Sequence, residues 1–369
     1  MALVFAIKLI TKLTPTFKNY QKFLFILMLS KNEVKTLREE LDTAKNPLFF
    51  YDDDPDGLCS FLLLYRVHRL GKGVIVKAAP KVDAKFLRKV TENNPEKIFI
   101  LDIPIVEQDF VDEAKRPIFW IDHHDPLKVK NVNYYNPRKK NPDIYLPTSR
   151  MAYQIANDKN DLWLATVGCL ADWHMPDFID EFIEMYPELL PEKKDLNDAV
   201  YQQPIGELVR VFSFLLKGQL YEVNKCIKIL SRIKSPDEIL KQKTSQGKFL
   251  YKRFKHVDEK YQTLIKTATK KVTKSKLLLF FYTENQWSFT ADLANELTNL
   301  YPDKVVLIAR NKSGKMKCSL RAKFPIKKAL ENALVGIDGY GGGHENACGT
   351  VVDENDWDKF LKKFKKEIK

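Results

Sequence analysis

The chain is short of cysteine pairs, of long apolar runs and of repetition. Its 369 residues hold five cysteines, at Cys59, Cys169, Cys226, Cys318 and Cys348. No two of them form a C-x-x-C pair, which argues against a zinc ribbon or a disulfide framework and fits a reducing cytosol. No uninterrupted apolar run approaches the roughly 20 residues that a membrane span needs. The most apolar stretch, residues 1–27, is broken by Lys8, Lys12, Lys18 and Lys22. It also lacks the basic start and small-residue cleavage site of a signal peptide. We expect residues 1–27 to be a mis-assigned N-terminal extension. The alternative is an amphipathic helix that packs on the body or touches a membrane surface. Met28 opens a more ordinary polar, amphipathic helix. No internal repeat is apparent, and the expected location is cytoplasmic.

Positive charge, by contrast, is abundant. Lys and Arg number 61 against 48 Asp and Glu, a net charge of +13. Such an excess favours an anionic partner, nucleic acid first, although a lysine-rich proteome would produce the same balance. A hydrophobic content of 44% is that of a soluble globular protein, and the length suits two or three domains.

From Asn46 short apolar runs alternate with helical segments. "PLFFYD", "GVIVKAA", "KIFILDI" and "PIFWIDHH" read as buried strands, with helices between them. That alternation indicates a parallel sheet covered on both faces. Two further helices follow in "TSRMAYQIANDKNDLWLATVGCLADWHM", with Thr148 or Ser149 as the expected cap. Residues 186–275 read as a basic helical connector. In it Phe249, Tyr251, Phe254 and Tyr261 interleave with Lys248, Lys252, Arg253, Lys255 and Lys260. This suits a nucleic-acid groove, or else a solvated helix whose aromatics pack inward. A second, smaller α/β unit begins at Lys276 and contains a glycine-rich turn, "GIDGYGGGHENACGT".

The chemistry concentrates in acids at strand ends. "YDDDPDG" packs Asp52, Asp53, Asp54 and Asp56 against an apolar run. Unpaired charges there would carry a large desolvation penalty, and a divalent metal removes it. If the strand end stays extended, Asp52, Asp54 and Asp56 share one face and Asp53 points away. Asp102 ends the third strand, and Asp122, His123 and His124 end the fourth. Ligand sites in open α/β sheets gather at such carboxyl ends. Oxygen ligands mixed with imidazole suit Mn²⁺ or Mg²⁺. Asp172, an acid embedded in an otherwise apolar helix, could complete the cluster. Taken singly, each aspartate could equally cap a helix or form a turn.

"DDDPDG", "LDIP", "DHH" and "CLADW", in this order and at these spacings, resemble the four motifs of the DHH phosphoesterase superfamily. "GYGGGHENACG" resembles the G-G-G-H-x-x-A-x-G signature of its companion substrate domain, DHHA1. Within the superfamily the chain looks most similar to the RecJ-like nucleases, the archaeal ones especially. The resemblance implies a DHH catalytic domain over residues 28–185, the helical connector, and a DHHA1 domain over residues 276–369. It implies two ions of Mn²⁺ or Mg²⁺. Asp54 and Asp56 would each bind a metal, Asp102 would bridge the two, and His123 and Asp172 would bind the second. His124 would contact the scissile phosphate and Asp122 would orient the histidines. Arg321, Gly341, Gly342, Gly343 and His344 would hold the substrate in the second domain. Many relatives open the first motif with histidine where this chain has Phe50, so Asp52 is assigned as a ligand of the first metal.

The implied activity is exonuclease action on single-stranded DNA or RNA by in-line attack of water. Alternatives are a phosphoesterase for short oligoribonucleotides, cyclic dinucleotides or a nucleoside bisphosphate, or a replication-complex scaffold. Single-stranded nucleic acid is the expected partner, with replication or repair proteins as further ones, and no membrane.

Overall fold

The computed structural model describes residues 28–77, 81–192, 195–283 and 287–368. The expectation for residues 1–27 lies outside them. The chain divides into two units. One comprises the described residues up to Leu216 with Ile227–Lys248, the other Lys217–Cys226 with the chain from Phe249 onward.

The first unit is built on a parallel five-stranded sheet. In chain order the sheet and the main helices around it are α1 (Lys31–Asp42), β1 (Leu48–Asp52), α2 (Pro55–His68), β2 (Lys72–Val76), α3 (Leu87–Asn93), β3 (Ile98–Leu101), α4 (Gln108–Ala114), β4 (Ile118–Ile121) and β5 (Asn133–Tyr135). Two helices follow, α5 (Thr148–Ala156) and α6 (Leu162–Ala171). The strand order is β2-β1-β3-β4-β5, with every pairing parallel.

Register in the middle of this sheet is set by aromatic side chains. Phe49, Phe99 and Phe119 are cross-strand partners on β1, β3 and β4. Their rings stack in a ladder, with centroids 5.3 and 5.2 Å apart. Phe49 also meets Phe61 of α2 edge-on, at 5.5 Å. The next residue on each strand, Phe50, Ile100 and Trp120, faces the opposite core, where Phe50 packs on Phe110 of α4. Helices therefore cover both faces, as the apolar runs indicate. Sliding one strand by a single residue would exchange its two faces and break the ladder, whose ring pairs are each worth about 0.5–1.5 kcal/mol beyond area burial. The ladder thus holds the carboxyl ends of three adjacent strands level.

The second unit contains α7 (Ser245–Thr269) from Phe249 onward, β6 (Leu277–Tyr282), α8 (Thr290–Leu300), β7 (Val305–Lys312), β8 (Lys315–Arg321), α9 (Lys327–Leu334), β9 (Gly339–His344), β10 (Ala347–Asp353) and α10 (Trp357–Glu367). Its sheet has the order β9-β10-β8-β7-β6, antiparallel except for the β6–β7 pair. The glycine-rich segment expected as a turn is mostly strand, since Gly339–His344 forms the sheet edge beside β10. Added Cβ atoms at Gly341 and Gly343 would meet the Gly349 and Ala347 carbonyl oxygens at 2.8 and 2.4 Å. Gly343 also has φ +134°, a conformation that side chains resist. Close backbone approach accounts for glycine here.

On α7 the four aromatics divide. Phe254 and Tyr261 are buried, and only Phe249 is exposed, with Tyr251 half-buried. Inward packing holds for two of the four, so they offer no stacking surface. No helix among the described residues is long and apolar enough to cross a membrane.

Candidate metal centre

Adjacent parallel strands end in acids. Asp52 is the last residue of β1, Asp102 follows β3, and Asp122, His123 and His124 follow β4. The strand-parity expectation for the first motif fails beyond Asp52, because Pro55 begins a helix. Asp54 is the N-cap of α2, its carboxylate accepting from the Gly57 backbone N–H at 2.9 Å. Asp56 lies in the first helical turn. Proline at the first helical position behind a capping aspartate is a sequence signal for this geometry. Gly57 is needed at the junction, since a Cβ would sit 2.7 Å from the Asp52 backbone nitrogen. Asp53 turns to Lys77 instead, at 3.1 Å.

The last acid arrives from a helix end. Asp172 is the C-cap of α6, not an interior helical residue. Its Oδ2 lies 3.5 Å from His123 Nε2, and Asp102 Oδ1 lies 3.2 Å from the same nitrogen. Three sets of ligand atoms fall within 4.8 Å of one another: Asp52 with Asp54 and Asp102, Asp56 with His123 and Asp172, and Asp102 with His123 and His124. The cluster therefore has two lobes, joined through Asp102 and His123.

Several supports go beyond the sequence expectations. The expected side-chain cap of α5 is absent; Pro147 occupies the N-cap without a side-chain hydrogen bond. The Asp56 carboxylate takes that place from a distant segment, accepting from the Thr148 and Ser149 backbone N–H groups at 2.8 and 2.9 Å. The Thr148 hydroxyl also donates to Asp102 Oδ1 at 3.1 Å. Gly168 lets α6 close against α5, because a Cβ there would lie 2.5 Å from the Ser149 hydroxyl oxygen. Tyr145 donates to Asp172 Oδ2 at 2.7 Å.

Asp122 is fully buried and serves His124. Its Oδ1 lies 2.7 Å from His124 Nδ1, while Oδ2 accepts from the His124 backbone N–H, the Tyr134 hydroxyl and the Asn136 amide at 3.1, 3.1 and 3.3 Å. A carboxylate can only accept, so Nδ1 carries the proton and Nε2 is left for a ligand. An asparagine would turn an amide N–H₂ toward some of these donors. Asp122→Asn is expected to lower turnover about 10–100-fold, the usual cost of losing such an orienting partner. Steady-state rates against a Tm control would check it.

The electrostatics follow from crowding. Burial pushes Asp52, Asp102 and Asp172 well above the usual carboxylate range, and neighbouring carboxylates add to it. Burial also raises Asp54. Burial and the Asp54 charge push Asp56 up to about 7, against its hydrogen bonds to α5. Burial opposes charging of His124, but the Asp122 hydrogen bond and nearby carboxylates outweigh it and raise its pKa. Five carboxyls among apolar walls cannot all ionise without a counter-charge. Hard carboxylate oxygens with one or two imidazoles, clustered at ligand spacing, form a donor set that fits Mn²⁺ or Mg²⁺.

In the second unit, Arg321 and His344 both lie in register with Ala347, one on β8 and the other on β9. Arg321 is held by Asn295 Oδ1 at 2.7 Å and by the Leu320 and Cys348 carbonyls. His344 is exposed. Gly341, Gly342 and Gly343 precede it on the same edge strand.

Comparison with known proteins agrees with this architecture. The chain resembles RecJ from Thermus thermophilus in complex with Mn²⁺, with a TM-score of 0.65 and 17% identity over 91% of this chain and 54% of that one. It thus spans about half the length of that protein. A manganese-bound exonuclease RecJ gives a TM-score of 0.59 and 18% identity, covering 93% and 95% of the two chains. The DHH domain of a member of a ribosomal-protein family gives 0.66 and 16%, covering 96% and 92%. At these identities the likeness shows a shared fold. No curated protein matches the chain. Family models match in both units, the DHH family N-terminal domain at residues 48–173 and the DHHA1 domain at residues 276–369. The chain carries a DHH family N-terminal domain followed by a C-terminal DHHA1 domain.

Proposed function

We propose that this chain is a metal-dependent phosphodiester hydrolase that shortens single-stranded DNA or RNA from an end. The observation that carries this reading is the two-lobed cluster, in which Asp52, Asp54 and Asp102 on one side and Asp56, His123 and Asp172 on the other are joined by the Asp102–His123 contact. Two divalent ions fit that division. Bound there, they would neutralise the carboxylates and stabilise charge building on the phosphoryl oxygens.

The protein's own groups supply position. Asp122 fixes the His124 ring through Nδ1, and the free Nε2 would contact a phosphate oxygen of the substrate. Thr148 and Ser149 hold Asp56 from behind, leaving its remaining lone pairs for a cation. No side chain is needed as a covalent nucleophile, since water attacks phosphorus in line. Arg321, Gly341–Gly343 and His344 would hold the substrate's phosphate or sugar on the second unit, and the lysines of α7 would contact the backbone without reading sequence. The solved RecJ structures with manganese support this reading by fold.

A second reading is a phosphodiesterase for very short oligonucleotides. Burial of Phe254 and Tyr261 favours it, because half the expected stacking platform is absent. The test is digestion of end-labelled single strands of DNA and RNA with Mn²⁺. Progressive shortening supports the exonuclease. Cleavage confined to dinucleotides establishes the second reading, and no hydrolysis of any substrate overturns both.

A further inference from the structure

Tyr145 combines features that core packing does not explain. Its neighbours Ile144 and Leu146 are buried, but Tyr145 is 46% exposed. Its hydroxyl lies 2.7 Å from Asp172 Oδ2 and 2.8 Å from the Asp172 main-chain oxygen, so one proton is shared between two acceptors of the same residue. Its ring meets the His123 imidazole edge-on, with centroids 5.3 Å apart at 72°. A single side chain thus touches two of the three ligand candidates in the lobe formed with Asp56.

Asp172 needs such a tie. Asp52 sits on a strand and Asp56 inside a helical turn, and in both cases regular backbone structure aims the side chain. Asp172 instead ends α6, and the chain leaves helical geometry immediately, with Trp173 at φ +56°. Where the backbone turns, a short acidic side chain is less constrained, and an external hydrogen bond restricts its rotamers.

We propose that Tyr145 is a positioning residue of the divalent-cation site, its hydroxyl holding the Asp172 carboxylate and its ring holding the His123 imidazole in the ligating arrangement. This rests on the metal-centre reading above. The hydroxyl occupies a lone pair of Oδ2 and the main-chain oxygen at once, so the carboxylate keeps a fixed orientation toward His123 Nε2. Nothing in the bond requires Tyr145 to touch substrate.

The test uses Tyr145→Phe, which keeps the ring and removes the hydroxyl. Mn²⁺ binding is followed by the loss of the free-ion electron paramagnetic resonance signal, without substrate. The expected result is an affinity weakened about tenfold, the lower end of the range for outer partners of metal ligands. Half-maximal hydrolysis should need correspondingly more Mn²⁺. Saturating Mn²⁺ should largely restore turnover, with the KM for a labelled single strand unchanged. In an Asp172→Ala background, which leaves no side-chain oxygen for the hydroxyl to hold, the same change should have no further effect on Mn²⁺ affinity, because the two groups act as one unit. Unchanged Mn²⁺ affinity in Tyr145→Phe, with the original protein binding the ion, overturns the positioning role alone. A tenfold loss that persists in the Asp172→Ala background overturns it too. Absence of Mn²⁺ binding by the original protein overturns the metal-centre reading, and the positioning role falls with it.

Discussion

Asp102→Asn is expected to lower hydrolysis by about 10³-fold or more while making the metal-free protein more stable at pH 8. Asp102 belongs to both the Asp52–Asp54 set and the His123–His124 set, so its loss would strip a ligand from the first lobe and break the link to the second. Three orders of magnitude correspond to about 4 kcal/mol of barrier, in the range expected when metal stabilisation of a phosphoryl transition state is lost. Stability should move the other way for two reasons. Burial among other carboxylates holds the Asp102 acid far from its ordinary ionisation, and an amide removes that charge. The residue also sits at φ +61°, the left-handed region that asparagine tolerates better than most residues. The Thr148 hydroxyl loses nothing, because an amide oxygen accepts its bond equally well. Nucleotide release at saturating Mn²⁺ and Tm in chelator are the two measurements. Retained activity would sink the two-cation assignment.

Saturating Mn²⁺ should raise the Tm by about 5–10 °C at pH 8 and by much less at pH 5.5. A ligand at 100 times its Kd stabilises by about 2.7 kcal/mol, and each kcal/mol shifts the Tm of a unit of about 150–250 residues, such as the first one here, by roughly 2–4 °C. The pH dependence has a definite sign. The fold raises these carboxyl pKa values, so it prefers their protonated forms. That preference is fully present below the unfolded carboxylate range and is lost as pH rises through the folded values, near 7 for Asp56. The metal-free protein should therefore be less stable at pH 8 than at pH 5.5. A cation binds the ionised forms, so its own contribution grows in the opposite direction. Equal Mn²⁺ shifts at both pH values would show that these acids do not form one cage.

Much of the centre can be read along the chain because its residue types are chemically conspicuous where they stand. Acids and imidazoles at the ends of apolar runs, such as Asp102 after "KIFIL", announce both the strand and its functional end. Neighbouring strands then bring distant acids together. What stays hidden has two origins. The N–H groups of Thr148 and Ser149 that hold Asp56 are backbone, which every residue carries, so no residue type marks them. Glycine is a poor strand former on average, so Gly339–His344 reads as a turn, although backbone proximity is what selects glycine there. The geometry of Asp54 and Asp56 is recoverable, since Asp-Pro before an apolar helical run is a helix start. Tyr145 carries no signal, because its partner lies 27 residues away.

The bond from Asp56 to the start of α5 spans 92 residues of chain, and this has a consequence for synthesis. Chain emerges from a ribosome at about 5–20 residues per second, so Asp52, Asp54 and Asp56 wait on the order of ten seconds for the start of α5, which Asp56 caps, and for Asp172 behind it. During that interval the end of β1 and the start of α2 hold their acids without the groups that complete the cage. A nascent chain stopped before residue 148 should not retain Mn²⁺, whereas one released after α6 should. Capture of the ion would then mark assembly of the cage during translation, before the DHHA1 domain at residues 276–369 has been made.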